Sequence, residues 1–245
     1  MLRDSAKRLL VRAGRTRPGQ HAVHAALTSD GTPVRFHEVE RWPSEVRGFE
    51  DLAFMFRSSQ LDHGIASLRF DEAALIFRLV RSLGRATIAE LGRYKGGSTV
   101  MIAAAMAEGS ELWSYDLHLH GDDGPTGEEL DRELTDALAR LRIAGGVRLL
   151  VADTRTADQP PTPCDLVFLD GDHSYDGARA DLNRWAPALR PGGHLLVHDA
   201  VDTGGWGTIH EGVVRLVAEL DHDAGFVREP GAGTIAHFVR QPTAA

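Results

Sequence analysis

The feature that most constrains this 245-residue chain lies between Ala86 and Ala200, where apolar runs end one after another in glycine, acid or histidine. In order they are Ala89-Glu90-Leu91-Gly92, Ser114-Tyr115-Asp116, Phe168-Leu169-Asp170-Gly171-Asp172-His173 and Leu196-Val197-His198-Asp199. Strands covered on both faces read as continuous apolar runs, and the ligand-bearing residues of parallel sheets gather at their carboxyl ends. Four such ends in succession predict an α/β domain with one ligand site along the sheet's carboxyl edge, and an enzyme rather than a structural module.

The periodicity between these runs supports that expectation. Ala73, Ile76, Phe77, Val80 and Leu83 mark one face of a helix that starts near Asp71, read as its N-cap. A strand over Ala86–Leu91 and a nearly all-apolar, buried helix over Ser98–Glu108 follow. Glu111–Asp116, Val147–Ala152 and Cys164–Leu169 read as strands. Leu130, Leu134, Leu138 and Leu141 form a helical stripe ended by Gly145-Gly146, and Ala178, Leu182, Trp185 and Leu189 form another, stopped by Pro191-Gly192-Gly193 before a strand His194–His198. Such alternation implies right-handed crossovers and a parallel sheet. After a last helix with Val213, Leu216, Val217 and Leu220 inward, Gly225–Glu229 and Thr234–Val239 read as a hairpin. The expected fold is a Rossmann-like, seven-stranded, mostly parallel sheet closed by an antiparallel hairpin. Residues 1–70 are expected to be a tail and extension over the ligand face, and 71–245 the ligand-binding domain.

Composition narrows the function. With 42% hydrophobic and 25% charged residues the chain can bury one large core. A formal charge of −8 argues against nucleic acid as a partner, since phosphate binding needs a basic surface. The one cysteine, Cys164, sits in a strand pattern and excludes an intramolecular disulfide framework. No apolar run reaches the ~18 residues of a membrane span and no secretory segment stands out, so a cytoplasmic protein without a membrane partner is expected. Residues 1–20 carry six basic residues against the single acid Asp4 and read as a solvated tail or short helix, with a membrane-surface segment the alternative.

The loop Gly92-Arg93-Tyr94-Lys95-Gly96-Gly97-Ser98 joins strand to helix, so backbone N–H groups face whatever lies above the sheet. Its Gly-x-x-x-Gly-Gly spacing lacks the Gly-x-Gly-x-x-Gly form that seats a pyrophosphate. A smaller, singly charged aminoacyl carboxylate suits it better, and S-adenosylmethionine carries one. Asp116 can accept both hydroxyls of a ribose, and Asp153-Thr154 can meet the adenine edge. Asp170 and Asp199, at neighbouring strand ends, can converge on one hard cation, with His173 in reach as a proton acceptor. A cation there would lower the pKa of a substrate hydroxyl, whose oxygen could then attack a methyl sulfonium. The bland alternative makes these acids helix caps and surface ion pairs, and Asp172 is read as a cap. His118, His120, His210, Glu211 and Trp206 are weaker candidates near the site.

At these residues the chain resembles metal-dependent O-methyltransferases, similar to catechol O-methyltransferase and closer to the macrocin O-methyltransferase type in Leu169–Tyr175 and Pro191–His194. The resemblance covers about Ile65 to Val239. It implies a class I methyltransferase fold in which Gly92, Tyr94 and Ser98 hold the methionine end of S-adenosylmethionine, Glu90 supports the loop, Asp116 binds the ribose and Thr154 lies by the adenine. It implies Asp170 and Asp199 as ligands of a divalent metal, Mg²⁺ or Mn²⁺, with His198 at the remaining ligand position, and His173 as the catalytic base. His198 departs from the carboxylate common in relatives, which favours Mn²⁺ or Fe²⁺ if the ring binds and otherwise leaves a weakened or metal-free site. The expected partner is a small hydroxylated acceptor, a sugar or natural-product scaffold, and homo-oligomer formation is left open. Two other readings stand beside this one: a methyltransferase-fold protein with another reaction such as hydroxylation, and a dinucleotide-dependent oxidoreductase.

Overall fold

A computed structural model describes residues 45–55, 66–118, 125–201 and 210–242. After a 3-10 turn, Phe49–Met55, the elements are α1 (Phe70–Leu83), β1 (Thr87–Leu91), α2 (Gly97–Ala105), β2 (Glu111–Asp116), α3 (Gly127–Arg140) and β3 (Val147–Val151). They continue with β4 (Cys164–Leu169), α4 (Tyr175–Trp185), β5 (Leu189–Val197), α5 (Glu211–Leu220), β6 (Phe226–Ala232) and β7 (Ile235–Arg240). The seven strands form one sheet in the order β3-β2-β1-β4-β5-β7-β6. The first five strands in that order are joined by four parallel pairings, and β7 pairs antiparallel with both β5 and β6.

Alternation along the strands divides the core. Ile88, Leu166, Phe168 and Leu196 point to one face, where α1, α2 and α3 pack, while Ala89, Leu91, Val167, Leu169, Leu195 and Val197 point to the other, beneath α4 and α5. All nine residues of α2 are buried, as expected for a helix without a polar face. On the first face, Phe49 stacks edge-on against Phe70 with ring centroids 4.9 Å apart, tying the 3-10 turn to α1.

Several boundaries differ from the sequence reading. α1 begins at Phe70 with Arg69 as N-cap, so Asp71 is not the cap; the cap is closed by Glu72, whose Oε2 accepts a hydrogen bond from Arg69 N at 2.7 Å. α2 stops at Ala105, not Glu108, and α3 at Arg140, short of Gly145-Gly146. α4 ends at Trp185, and after a single 3-10 turn β5 starts at Leu189 and runs through Pro191-Gly192-Gly193. Those residues lie on the strand because they sit at a register shift against β4 between Cys164 and Leu166, where the ladder is already interrupted.

The strand ends are tied by close backbone approach. Gly92 has φ +91°, and a Cβ there would lie 2.2 Å from the Asp170 carbonyl oxygen. Gly92→Ala is therefore expected to destabilise the fold by roughly 2–5 kcal/mol, from a backbone conformation unfavourable to L side chains plus steric overlap. A urea midpoint equal to that of the wild type would refute this close packing.

Candidate active site

The carboxyl ends of β1, β2, β3, β4 and β5 border one cavity of about 490 Å³, within the roughly 300–1,000 Å³ range of small-molecule sites. In sheet order they run from Asp153 and Thr154 after β3, through Asp116 after β2 and Gly92 and Tyr94 after β1, to Asp170 and His173 after β4 and His198 and Asp199 after β5. Ser67, just before α1, also lines it. Of the sequence candidates, Glu90 and Ser98 are buried but do not line the cavity.

Glu90 works beneath the loop. Its Oε2 accepts hydrogen bonds from Thr99 Oγ1 at 2.7 Å and Ser114 Oγ at 2.5 Å, which joins the start of α2 to β2. Burial raises its pKa. Asp116 braces the loop itself: Oδ2 accepts from the backbone N–H of Arg93 and Tyr94 at 3.0 and 2.9 Å, and Oδ1 from His118 N at 2.6 Å. These bonds hold Tyr94 at φ 47° and His118 at φ 56°, a region non-glycine residues seldom adopt. Sequence reasoning missed Arg93. Its guanidinium is buried, forms a bidentate pair with Asp131 at 2.7 and 2.6 Å, and donates to the Ser114 and Leu150 carbonyls. His118 joins that pair, with Nε2 3.0 Å from Asp131 Oδ2, so it is a structural residue and not a solvated loop histidine.

At the β3 end, Asp153 receives its hydrogen bonds from Arg155, while Thr154 Oγ1 donates to Asp181 Oδ1 at 2.5 Å. Asp181, on α4, is 2% exposed and lines the cavity, and burial raises its pKa; no local signal marks it, because it reads as one polar position on an amphipathic helix. Trp185 Nε1 donates to the Thr154 carbonyl at 2.9 Å and fixes this turn. Asp172 is not the α4 cap. Ser174 is, through its side chain and Gly177 N, while Asp172 Oδ1 accepts from Ser174 N at 2.8 Å.

The opposite end is a network of acids and imidazoles. His198 Nδ1 lies 2.8 Å from Asp170 Oδ1 and 3.6 Å from Asp199 Oδ2, and His198 Nε2 lies 3.4 Å from Glu72 Oε2. His173 Nε2 stands 3.3 Å from Asp199 Oδ2 and 3.7 Å from Asp170 Oδ1 without an aligned hydrogen bond to either. His210, at the start of α5, stacks on His173 with centroids 4.0 Å apart and reaches Asp199 Oδ2 at 3.4 Å. Asp199 holds φ 52°, a strained setting common at functional sites. Among the described residues, donor atoms of Asp170, His198 and Asp199 lie within 4.8 Å of one another, as do those of His173, Asp199 and His210. An oxygen-and-imidazole set of this kind fits a first-row divalent ion. Trp206 and His120 lie outside the described residues.

Charge settles unevenly over this network. Burial alone would raise Asp170, but His198 and His173 outweigh it and hold the carboxyl at about 2. Glu72 is likewise held at about 2 by His198 and Thr234 against its burial. Asp170 and Asp199 lift His173 to about 9, and their field, with Glu72, carries His198 well above its ordinary value despite burial. His210 goes the other way, lowered by burial and by the charge on His173. A histidine raised from 6.5 to about 9 stabilises the fold fully below pH 6.5, and that contribution disappears as pH rises through 9. In the metal-free protein, the stability gap between wild type and His173→Gln is therefore expected to be larger below pH 6.5 than above pH 9. Urea midpoints on the two sides of that window measure it, and a gap that does not narrow would contradict this account of His173.

Residues 89–200 match a family described as a methyltransferase domain. Among solved structures, the O-methyltransferase TomG of Streptomyces achromogenes, involved in tomaymycin synthesis and determined with SAM, is 20% identical with a TM-score of 0.53, over 69% of this chain and 79% of that one. An O-methyltransferase from Bacillus cereus, determined with SAH, is 16% identical with a TM-score of 0.54, over 71% and 82%. A methyltransferase from Geobacter sulfurreducens is 15% identical with a TM-score of 0.54, over 71% and 80%. A curated relative, the uncharacterized protein y4gI of Sinorhizobium fredii, is 29% identical over 130 residues, which is 49% of this chain and 14% of that protein, so the chain spans only a small part of this relative. Strand order and hairpin are those of the class I methyltransferase fold, and the segment that matches the methyltransferase-domain family, residues 89–200, lies within it.

Proposed function

We propose that this protein is an S-adenosylmethionine-dependent O-methyltransferase that methylates a hydroxyl of a small molecule, a sugar or natural-product scaffold, with a divalent metal assisting. The observation that carries the reading is one cavity lined both by the Gly92 loop, in the middle of the strand row, and by the adjoining Asp170, His198 and Asp199 cluster. Two of the similar structures hold SAM or its demethylated product, in keeping with such a cavity. In this proposal residues 71–245 are the cofactor-binding domain and residues 1–70 an extension over its ligand face. The net charge of −8 favours a small acceptor over nucleic acid, and no described helix is long and apolar enough to cross a membrane.

The backbone around Gly92 and Tyr94 would receive the aminoacyl end of the cofactor, with Glu90 and Ser98 supporting the start of α2 from below. Asp116 would serve the ribose from the oxygen that His118 N engages, because Oδ2 is already shared by two loop N–H groups. Asp153 and Thr154 would border the adenine. Asp170, His198 and Asp199 would hold the metal, which when bound supplies Lewis acidity toward the acceptor hydroxyl. With the two aspartates so engaged, His173 loses the charges that hold its proton, and its Nε2 is free to take one from the acceptor. The acceptor oxygen forms its bond to the sulfonium methyl as the methyl–sulfur bond breaks. The products are the methyl ether, S-adenosylhomocysteine and one proton on His173.

Calorimetry with S-adenosylmethionine, with NAD as control, tests the cofactor: saturable binding of the first alone is expected, and binding of NAD alone would overturn the reading in favour of an oxidoreductase. Asp116→Ala is expected to weaken cofactor affinity by at least about tenfold, since it removes both a ribose partner and the loop's brace. His173→Ala is expected to lower turnover roughly 10²–10⁴-fold, with cofactor affinity little changed. S-adenosylhomocysteine release with an identified acceptor measures this, and a wild-type rate would remove His173 from the proton transfer.

A further inference from the structure

Glu72 lies outside every motif that points to the site, yet it is 1% exposed and its Oε2 stands 3.4 Å from His198 Nε2. Its carboxylate is locked on both oxygens. Oε2 accepts from Arg69 N, and Oε1 accepts from Thr234 N at 2.6 Å and Thr234 Oγ1 at 2.9 Å. Gly233, with φ +55°, permits that clasp, since a Cβ there would lie 2.3 Å from Glu72 Oε1. Helix α1 and the β6–β7 turn thus aim a fixed, acceptor-only group at His198 Nε2, while Nδ1 faces Asp170 and Asp199.

A neutral imidazole carries one N–H and one lone pair, and the partner of one nitrogen decides what the other offers. We infer that Glu72 is a positioning residue for the divalent-metal site: by accepting a hydrogen bond from His198 Nε2–H, it keeps the proton on Nε2 and presents the Nδ1 lone pair to a cation shared with Asp170 and Asp199. The inference rests on the metal reading above. Carboxylates behind ligating histidines fix ring orientation and tautomer, and their loss typically weakens metal binding by about 10–100-fold. Thr234 Oγ1 also lies 3.3 Å from Asp199 Oδ1, so its one hydroxyl proton can serve either Glu72 or Asp199.

The test is Mn²⁺ binding, followed by calorimetry, for wild type, Glu72→Gln, His198→Ala and the double variant. A glutamine at this position can turn its amide N–H toward His198 Nε2 and select the tautomer with the proton on Nδ1, which cannot ligate. Expected is a loss of at least about tenfold in Mn²⁺ affinity for Glu72→Gln, and no additional loss when the same change is made in the His198→Ala background. Unchanged affinity in Glu72→Gln, or an equal loss in both backgrounds, overturns the role of Glu72. Absence of Mn²⁺ binding in the wild type overturns the metal reading and this inference with it. A second readout needs no Glu72 variant: long-range ¹H–¹⁵N correlation of His198 in the Zn²⁺-saturated wild type is expected to show the proton on Nε2, and a proton on Nδ1 overturns the proposal.

Discussion

Everything at the ligand face depends on how far the parallel ladders continue past the ends of the strands. Gly92 N donates to the Tyr115 carbonyl, Asp170 N to the Leu91 carbonyl and His198 N to the Leu169 carbonyl, at 2.9, 2.8 and 3.0 Å. These three bonds carry the register of β2, β1, β4 and β5 one residue beyond the strands, so loop, acid and imidazole stand in one row. A register shift of a single residue would turn Asp170 and His198 toward opposite faces of the sheet. Backbone pairing therefore does the first part of the positioning, before any side chain interacts.

The side chains then divide into two systems with different physics. Around Gly92 the work is done by neutral backbone donors arranged on fixed acceptors, with Asp116 serving three N–H groups and Arg93 joining β2, β3 and α3. Such a framework holds the loop in shape. Around Asp170 the opposite holds: three carboxylates and three imidazoles crowd one end, and the charges on protonated His198 and His173 hold Asp170, and that on His198 holds Glu72, well below the usual carboxylate range. A divalent ion would replace those protons as the balancing charge, so ion and imidazolium compete for the same carboxylates.

Much of this was legible from the sequence. Continuous apolar runs located the strands, and β2 and β4 have the bounds that their composition implied, because strands covered on both faces admit few polar residues. Turn residues near Pro191 misled, since Pro-Gly-Gly normally ends an element; here the ladder is irregular at that point and the strand absorbs them. Asp71 has the residue type of a cap, whereas Glu72 closes the cap with a longer side chain that reaches back to Arg69.

The sequence by itself determined the class of fold, the order of strand and helix, and the residues at the strand ends, because these follow from hydrophobic period and from the need for small or polar groups where a chain leaves a sheet. Only the tertiary structure decided which of those residues meet. Glu72 and His198 are 126 positions apart, and Glu72 and Thr234 are 162. Asp131 reaches Arg93, and Asp181 reaches Thr154, from helices whose polar faces look like ordinary solvated surface. No local pattern encodes such pairs, since their partners are set by how α1, α3, α4 and the β6–β7 turn close over the sheet.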